Sequence, residues 1–148
     1  MVSVCHSNPN SLSSNFVMSF YEDEQGVLWI GTMGGGLNKF DRRQGTFTHY
    51  QNDPANSDSL GHNDVNRIAP GRNGILWLGT SGGLDRFDPA SETFFHYRHD
   101  PANPNSLLTN NIQGLIRDAA GMLWIASYNG GISHFDPDTE TFTHFSHD

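Results

Sequence analysis

Five histidines recur at matching positions of this 148-residue chain and are the side chains best suited to metal chemistry. They are His49, His96 and His144, one in each of three similar segments, with His99 and His147 three residues after the last two. A metal site needs ligands that converge within about 2 Å of one ion. Equivalent positions on successive outer strands diverge, so we expect surface histidines and no metal site. The local pair of His96 and His99 is the alternative that stays open.

Three other patterns could do chemistry, and each favours a structural interpretation. Asp23-Glu24-Gln25-Gly26 has fewer ligands than a calcium loop, and its carboxylate suits a turn. The run Gly34-Gly35-Gly36 would cradle a phosphate only before a helix, whereas a strand is expected there. Cys5 has no motif around it, and no Gly-x-Ser-x-Gly elbow occurs. The sequence therefore predicts neither catalysis nor a cofactor.

These side chains lie on a framework that repeats around three tryptophans. Gly26–Thr32, Gly74–Thr80 and Gly121–Ser127 are versions of one string, and Trp29, Trp77 and Trp124 are 48 and 47 residues apart. Such a period, carried by β-type residues, is typical of a repeat architecture. The tryptophan strand is apolar on both faces, so we expect it to be buried on both sides. The predicted core residues are Trp29, Trp77, Trp124, Phe40, Phe87 and Phe135.

Each repeat contains four β-like runs that are separated by turns. This pattern predicts an all-β protein of β-propeller blades, with three four-stranded antiparallel repeats of about 48 residues. A solenoid is the alternative, but most solenoid coils are shorter. The predicted boundaries are 11–53, 54–100 and 101–148, and residues 1–10 form a connector or the remnant of a preceding blade.

Three blades cannot close a ring, because propellers have four to eight blades. The chain is therefore part of a longer propeller, or copies assemble into a homo-oligomer, with six blades in a dimer or nine in a trimer. Exposed sheet edges and faces favour such association. The segment Val2-Ser3-Val4 could be the last strand of a preceding blade or could pair with another chain.

Composition excludes several classes of partner. Eight Lys and Arg against 16 Asp and Glu give a net charge of −8, which argues against nucleic acid. No stretch is long and apolar enough to span a membrane, and residues 1–7 lack the features of a signal peptide. We therefore expect a soluble chain without direct membrane contact. A single cysteine excludes an internal disulfide.

The repeat resembles a known family. The segments Glu22–Thr32 and Gly35–Asp41, with their counterparts Gly74–Asp88 and Asp118–Asp136, are similar to the two-component regulator propeller repeat. The resemblance implies a periplasmic or extracytoplasmic sensor region, followed in the parent protein by a membrane span and a kinase or cyclase. It implies no site residues, because the family shares no invariant ligand contacts within the repeat.

A ligand site can be placed where the copies differ. In a propeller, the connectors and the loops between second and third strands open on one face, and the non-repeating residues there are His62, Asn66, Arg67, Gln113, Tyr128 and Asn129. Tyr128 could stack on a saccharide. The sequence thus predicts a non-catalytic ligand sensor. A self-assembling scaffold for protein–protein interaction is the alternative, and a lyase-type propeller enzyme is a third that lacks an acid–base pair.

Overall fold

The computed structural model describes residues 10–147, and these form three four-stranded antiparallel sheets. Val2-Ser3-Val4 and Cys5 lie outside the described residues. Blade 1 consists of β1 (Val17–Glu22), β2 (Leu28–Thr32), β3 (Leu37–Asp41) and β4 (Thr46–Tyr50). Blade 2 consists of β5 (Val65–Pro70), β6 (Leu76–Thr80), β7 (Gly83–Asp88) and β8 (Thr93–Tyr97). Blade 3 consists of β9 (Ile112–Arg117), β10 (Leu123–Ser127), β11 (Gly131–Asp136) and β12 (Thr141–Phe145).

The strands of each blade pair in chain order, so each sheet is a meander. The first strands of adjacent blades lie side by side, since β5 contacts both β1 and β9. The structure is therefore all-β and consists of propeller blades, as predicted.

The turn between the first two strands is built around an aspartate. In blade 1, Asp23 Oδ1 accepts hydrogen bonds from the backbone N–H groups of Gln25 and Val27, both at 3.0 Å. Its Oδ2 accepts the indole N–H of Trp29, also at 3.0 Å. Asp118 makes the same set of bonds in blade 3. The carboxylate thus closes the turn and holds the tryptophan, which is the turn role expected from the sequence.

Blade 2 forms this turn differently because Gly71 replaces the aspartate. A single 3₁₀ turn spans Arg72–Gly74, and Asn73 adopts a left-handed conformation with φ of 55°. A Cβ atom at Gly71 would lie only 2.8 Å from Nε1 of Trp77. The backbone therefore approaches the indole where the other blades place a carboxylate.

Neighbouring blades are held together by the face of each sheet that carries its tryptophan. Trp29 of blade 1 packs edge-on against Phe87 of blade 2, with ring centroids 5.6 Å apart. Trp77 packs against Phe135 of blade 3 in the same way at 5.7 Å. All four side chains are buried in the two core clusters between the blades. Such edge-to-face pairs add to the energy of apolar burial.

The other two predicted core residues, Phe40 and Trp124, are only partly buried. Phe40 lies on the outer face of blade 1 and stacks on Phe47, and Trp124 lies on the outer face of blade 3 beside His134 and Phe145. Among residues 10–147, no further blade covers either face. The prediction that all six residues are core residues is therefore corrected at the two ends of the array.

Candidate ligand-binding face

The connectors between blades and the loops between second and third strands meet on one face, which we call the upper face. The backbone N–H of Gly36 donates to the carbonyl of Asn63 at 2.8 Å, and that of Gly34 donates to Asp64 Oδ1 at 2.8 Å. The hairpin loop of blade 1 therefore lies against the connector that leads into blade 2.

Three equivalent residue pairs line the upper face near the first strand of each blade, and we call them the rim. In each pair a hairpin residue donates its backbone N–H to the carbonyl of the residue before the first strand, at 2.8–3.1 Å. The pairs are Met33 with Phe16, Ser81 with Asp64, and Tyr128 with Asn111. The backbone geometry repeats while both side chains differ in every blade. The rim therefore combines a constant scaffold with variable chemistry.

Aromatic and apolar side chains of the rim are exposed to solvent. Tyr128 is 66% exposed, Phe16 is 70% exposed and Met33 is 45% exposed. Phe16 and Met33 are neighbours in blade 1, and exposed large apolar groups that lie together are typical of interaction sites. Sequence comparison of the copies found Tyr128, but it missed Phe16, Asp64 and Asn111. Aligning the residue that precedes the first strand in each repeat would have revealed all three.

Polar groups accompany Tyr128 on blade 3. Gln113 is exposed, and its side-chain amide donates to Asn111 Oδ1 at 2.7 Å. Asn129 follows Tyr128 in the hairpin with φ of 54°, so its conformation supports the turn. The structure therefore brings four residues together: Asn111, Gln113, Tyr128 and Asn129.

Three of the residues predicted to contact a ligand have structural partners. Asn66 is 3% exposed and donates to the carbonyl of Ile112 at 2.9 Å, which fastens blade 2 to blade 3. His62 accepts the backbone N–H of Asp64 through Nδ1 at 2.9 Å. Arg67 is partly buried and donates to the carbonyl of Asn66 at 2.7 Å. We therefore restrict the candidate site to blade 3 and the neighbouring rim.

The repeated histidines join each outer strand to the connector before it. Their Nε2 atoms lie within hydrogen-bond distance of connector carbonyls: 2.8 Å for His49 and Ser11, 3.2 Å for His96 and Ser57, and 3.3 Å for His144 and Pro104. His99 differs, because its Nδ1 lies 2.6 Å from the carbonyl of Leu107 in the connector that follows blade 2. Within residues 10–147, no group of three potential metal ligands converges.

One of these histidines carries a buried ion-pair partner. His96 Nδ1 lies 2.7 Å from Asp85 Oδ1, and Asp85 is 2% exposed. The other carboxylate oxygen accepts the backbone N–H of Gly61 at 2.7 Å. The hydrogen bond to Asp85 raises the pKa of His96, and burial opposes this shift. Asn38 and Ser133 occupy the equivalent position in the other blades, so blade 2 alone has a charged pair there.

None of the helical segments in residues 10–147 has the length and apolarity needed to cross a membrane.

The family of the chain follows from comparison with known proteins. The family model for the two component regulator propeller matches residues 11–34, 59–82 and 106–129. Each match runs from the end of a connector through the first two strands of one blade. The chain belongs to the two-component regulator propeller family.

Two solved extracellular domains share the fold of the chain. The extracellular domain of a hybrid two-component system from B. thetaiotaomicron is 31% identical, with a TM-score of 0.83 over 93% of this chain and 19% of that one. The extracellular domain of a one-component system from the same organism is 27% identical, with a TM-score of 0.67 over 90% of this chain and 20% of that one. This chain therefore spans about a fifth of the length of these relatives.

A more distant structure shows the fold alone. Virginiamycin B lyase from Staphylococcus aureus is 16% identical, with a TM-score of 0.63 over 88% of this chain and 41% of that one. No curated protein matches the sequence.

The third two-component regulator propeller repeat departs from the other two at the end of its tryptophan strand. Thr32 and Thr80 donate their hydroxyls to hairpin carbonyls, at 2.9 and 2.8 Å. Ser127 replaces them in blade 3, and its buried hydroxyl has no partner among the described residues. Blade 3 is therefore the least regular repeat at the hairpin that carries Tyr128.

Proposed function

We propose that this chain is a ligand-binding part of an extracytoplasmic sensor region and that the upper face of blade 3 binds a saccharide without catalysis. The family membership supports a propeller module of a regulator sensor region. The extracellular location of the relatives supports the same compartment for this chain.

The exposed ring of Tyr128 is the observation that carries the saccharide proposal. A sugar ring has an apolar C–H face and a rim of hydroxyls, so it combines stacking with directional hydrogen bonds. Tyr128 supplies the aromatic surface, and the amide pair of Asn111 and Gln113 supplies donors and acceptors beside it. Because the backbone of Tyr128 is bonded to that of Asn111, the site is organised before a ligand arrives.

A saccharide array probed with the 148-residue chain tests this proposal. We expect selective retention of one class of glycan, and the side-chain amide of Gln113 should shift in the NMR spectrum when the glycan is added. Failure to retain any glycan, or shifts confined to residues far from blade 3, would contradict the proposal.

We also propose self-association as a second candidate function, because the residues at the two open ends of the array are compatible with each other. Tyr50 donates its hydroxyl to Glu92 across the first blade junction, and Tyr97 donates to Glu140 across the second. At the open ends, Phe145 replaces the tyrosine and Gly45 replaces the glutamate. If blade 3 stacked on blade 1 of a second copy, neither group would leave a buried polar atom unpaired.

One substitution changes the spacing expected at such an intermolecular junction. Gly31 lies so close to the next blade that a Cβ there would be 2.6 Å from the carbonyl oxygen of Val65. Ala126 occupies the equivalent position in blade 3. A second copy would therefore sit slightly farther from blade 3 than blade 2 sits from blade 1.

Sedimentation analysis at micromolar concentration tests self-association. We expect the mass of a dimer or trimer, and we expect the double variant Gly45→Glu with Phe145→Tyr to associate more tightly because it restores the hydrogen bond of the internal junctions. A folded monomer would contradict this candidate and favour further blades of a longer chain as the cover.

A further inference from the structure

A small cleft between blades 2 and 3 gathers three of the seven arginines of the chain. It lies on the lower face, opposite the rim, where the turns between first and second strands meet those between third and fourth strands. Its volume is about 180 Å³, and Arg72, Arg86 and Arg117 line it together with Trp77 and Asp138. We call it the arginine cleft. The chain as a whole is acidic, with a net charge of −8, so this positive charge is concentrated in one place.

Two of the guanidinium groups converge on one point. Nη2 of Arg72 and Nη2 of Arg117 lie 3.3 and 3.5 Å from the position that a Cβ atom would occupy at Gly121. Glycine at this position therefore leaves room between them. Like charges that converge in this way repel one another unless an anion lies between or beside them.

The protein supplies only part of the compensating charge. Arg72 pairs with Asp138, with Nη1 at 3.1 and 3.2 Å from the two carboxylate oxygens. Arg86 lies over the ring of Phe95 at 5.2 Å, a contact that leaves its charge uncompensated. Among residues 10–147, neither Arg86 nor Arg117 forms an ion pair. The arginine cleft therefore keeps an excess of positive charge.

The equivalent cleft between blades 1 and 2 has the opposite character. Asp23, Glu24 and Asp88 are among its lining residues, and no arginine is. Glu24 and Arg72 occupy the same position in their repeats. The arginines are therefore specific to one junction and are not a general feature of the blade.

The indole of Trp77 adds a directed donor near the arginine cleft. Trp29 and Trp124 give their N–H groups to Asp23 and Asp118, whereas blade 2 has Gly71 at that position. An oxyanion in the cleft would thus meet two guanidinium groups and an indole N–H that lacks the carboxylate found in the other repeats. Arginine favours carboxylate, sulfate and phosphate because its planar donors match their oxygens.

We propose that the arginine cleft binds one oxyanion, either as a free ion or as the acidic substituent of a small molecule. The cleft, at about 180 Å³, has room for an oxyanion group, and Arg72, Arg117 and Trp77 are its ligands. This site is on the opposite face from the saccharide site and does not depend on it.

The three indole N–H signals of the isotope-labelled chain test the proposal directly. Inorganic sulfate, inorganic phosphate and acetate are titrated separately at constant ionic strength, with chloride as the balancing ion. We expect the Trp77 signal to shift and saturate with at least one oxyanion, while the signals of Trp29 and Trp124 stay in place. The response of the Trp77 signal to galacturonate is then compared with its response to acetate. Tighter binding of galacturonate would indicate the acidic substituent of a small molecule, and equal binding would indicate a free ion.

Matched variants complete the experiment. Arg117→Gln should weaken the apparent affinity at least about tenfold, which follows from losing one charge-assisted contact. Arg98→Gln is the control, since Arg98 bonds the carbonyl of Gly82 on the upper face. The same spectra show whether each variant is folded. If Trp77 does not respond to any oxyanion, or responds equally in Arg117→Gln, the proposal is wrong.

Discussion

The two blade junctions share one core but differ at their edges. At both, a buried tryptophan meets a phenylalanine edge-on and a tyrosine donates to a glutamate of the next blade. On the lower face, however, the first junction is lined by carboxylates and the second by arginines. Contacts that set the distance between blades therefore repeat, whereas residues facing solvent at the same junction vary freely. We therefore expect the functional residues to be among those that face solvent and vary.

The largest expected effect on stability is at the tryptophans, where a position inside a junction is compared with the equivalent position at the end of the array. Trp77→Ala removes a buried ring between blades 2 and 3 and should lower the free energy of unfolding by about 3–5 kcal/mol. In a monomer, Trp124→Ala, at the partly buried equivalent position, should cost only about 1–2 kcal/mol. Urea denaturation of both variants measures the difference. Equal losses would show that the end of the array is covered in solution.

A smaller effect is expected at the tyrosine–glutamate pairs. Tyr97→Phe gives blade 2 the residue of blade 3, and it removes one hydrogen bond to Glu140. We expect a loss of about 1 kcal/mol in the free energy of unfolding. Tyr50→Phe should cost a similar amount because its geometry is the same. Thermal and urea unfolding of both variants measure the two losses. A loss at only one junction would contradict the equivalence of the two junctions.

The smallest expected effect on stability comes from the pair of His96 and Asp85, and it is confined to a range of pH. The raised pKa of His96 means that its pair with Asp85 stabilises the fold fully below the ordinary pKa of histidine, about 6.5, and that this stabilisation is lost as the pH rises through the raised value. Asp85→Asn gives blade 2 the residue of blade 1 and keeps an acceptor for Gly61. We expect the pKa of His96 to fall and the pH dependence of the melting temperature to flatten.

An NMR titration of His96 measures this shift. His144, which bonds the hydroxyl of Ser133 instead of a carboxylate, is the control within the same molecule. An unchanged pKa of His96 in Asp85→Asn would show that the carboxylate is not its cause.

The sequence predicted the repeated parts of the molecule and only some of the variable ones. The period of the tryptophans, the turn glycines and the alternation of the outer strands were enough for the blades, because each depends on local backbone geometry. The bond from Asn66 to Ile112 was missed because its two partners lie in different blades, 46 residues apart. The outward position of Trp124 was missed because the sequence does not reveal whether the tryptophan of a blade faces the preceding or the following blade.

The candidate sites show the same limit. Tyr128 could be identified because it differs from Met33 and Ser81 within an aligned loop. The arginine cleft could not, because Arg72 and Arg86 lie in a turn and a strand of blade 2, whereas Arg117 ends a strand of blade 3. Only the packing of blade 2 on blade 3 brings them together.

The binding affinity of Tyr128→Ser tests the central claim most directly, namely that recognition depends on positions where the copies differ. This variant gives blade 3 the rim residue of blade 2, and Phe95→Thr is the control because it gives blade 2 the exposed residue of the other outer strands. With the best glycan from the array, calorimetry should show a loss of at least about tenfold for Tyr128→Ser, as expected for a central aromatic contact, and no change for Phe95→Thr. Unchanged affinity in Tyr128→Ser would contradict the account.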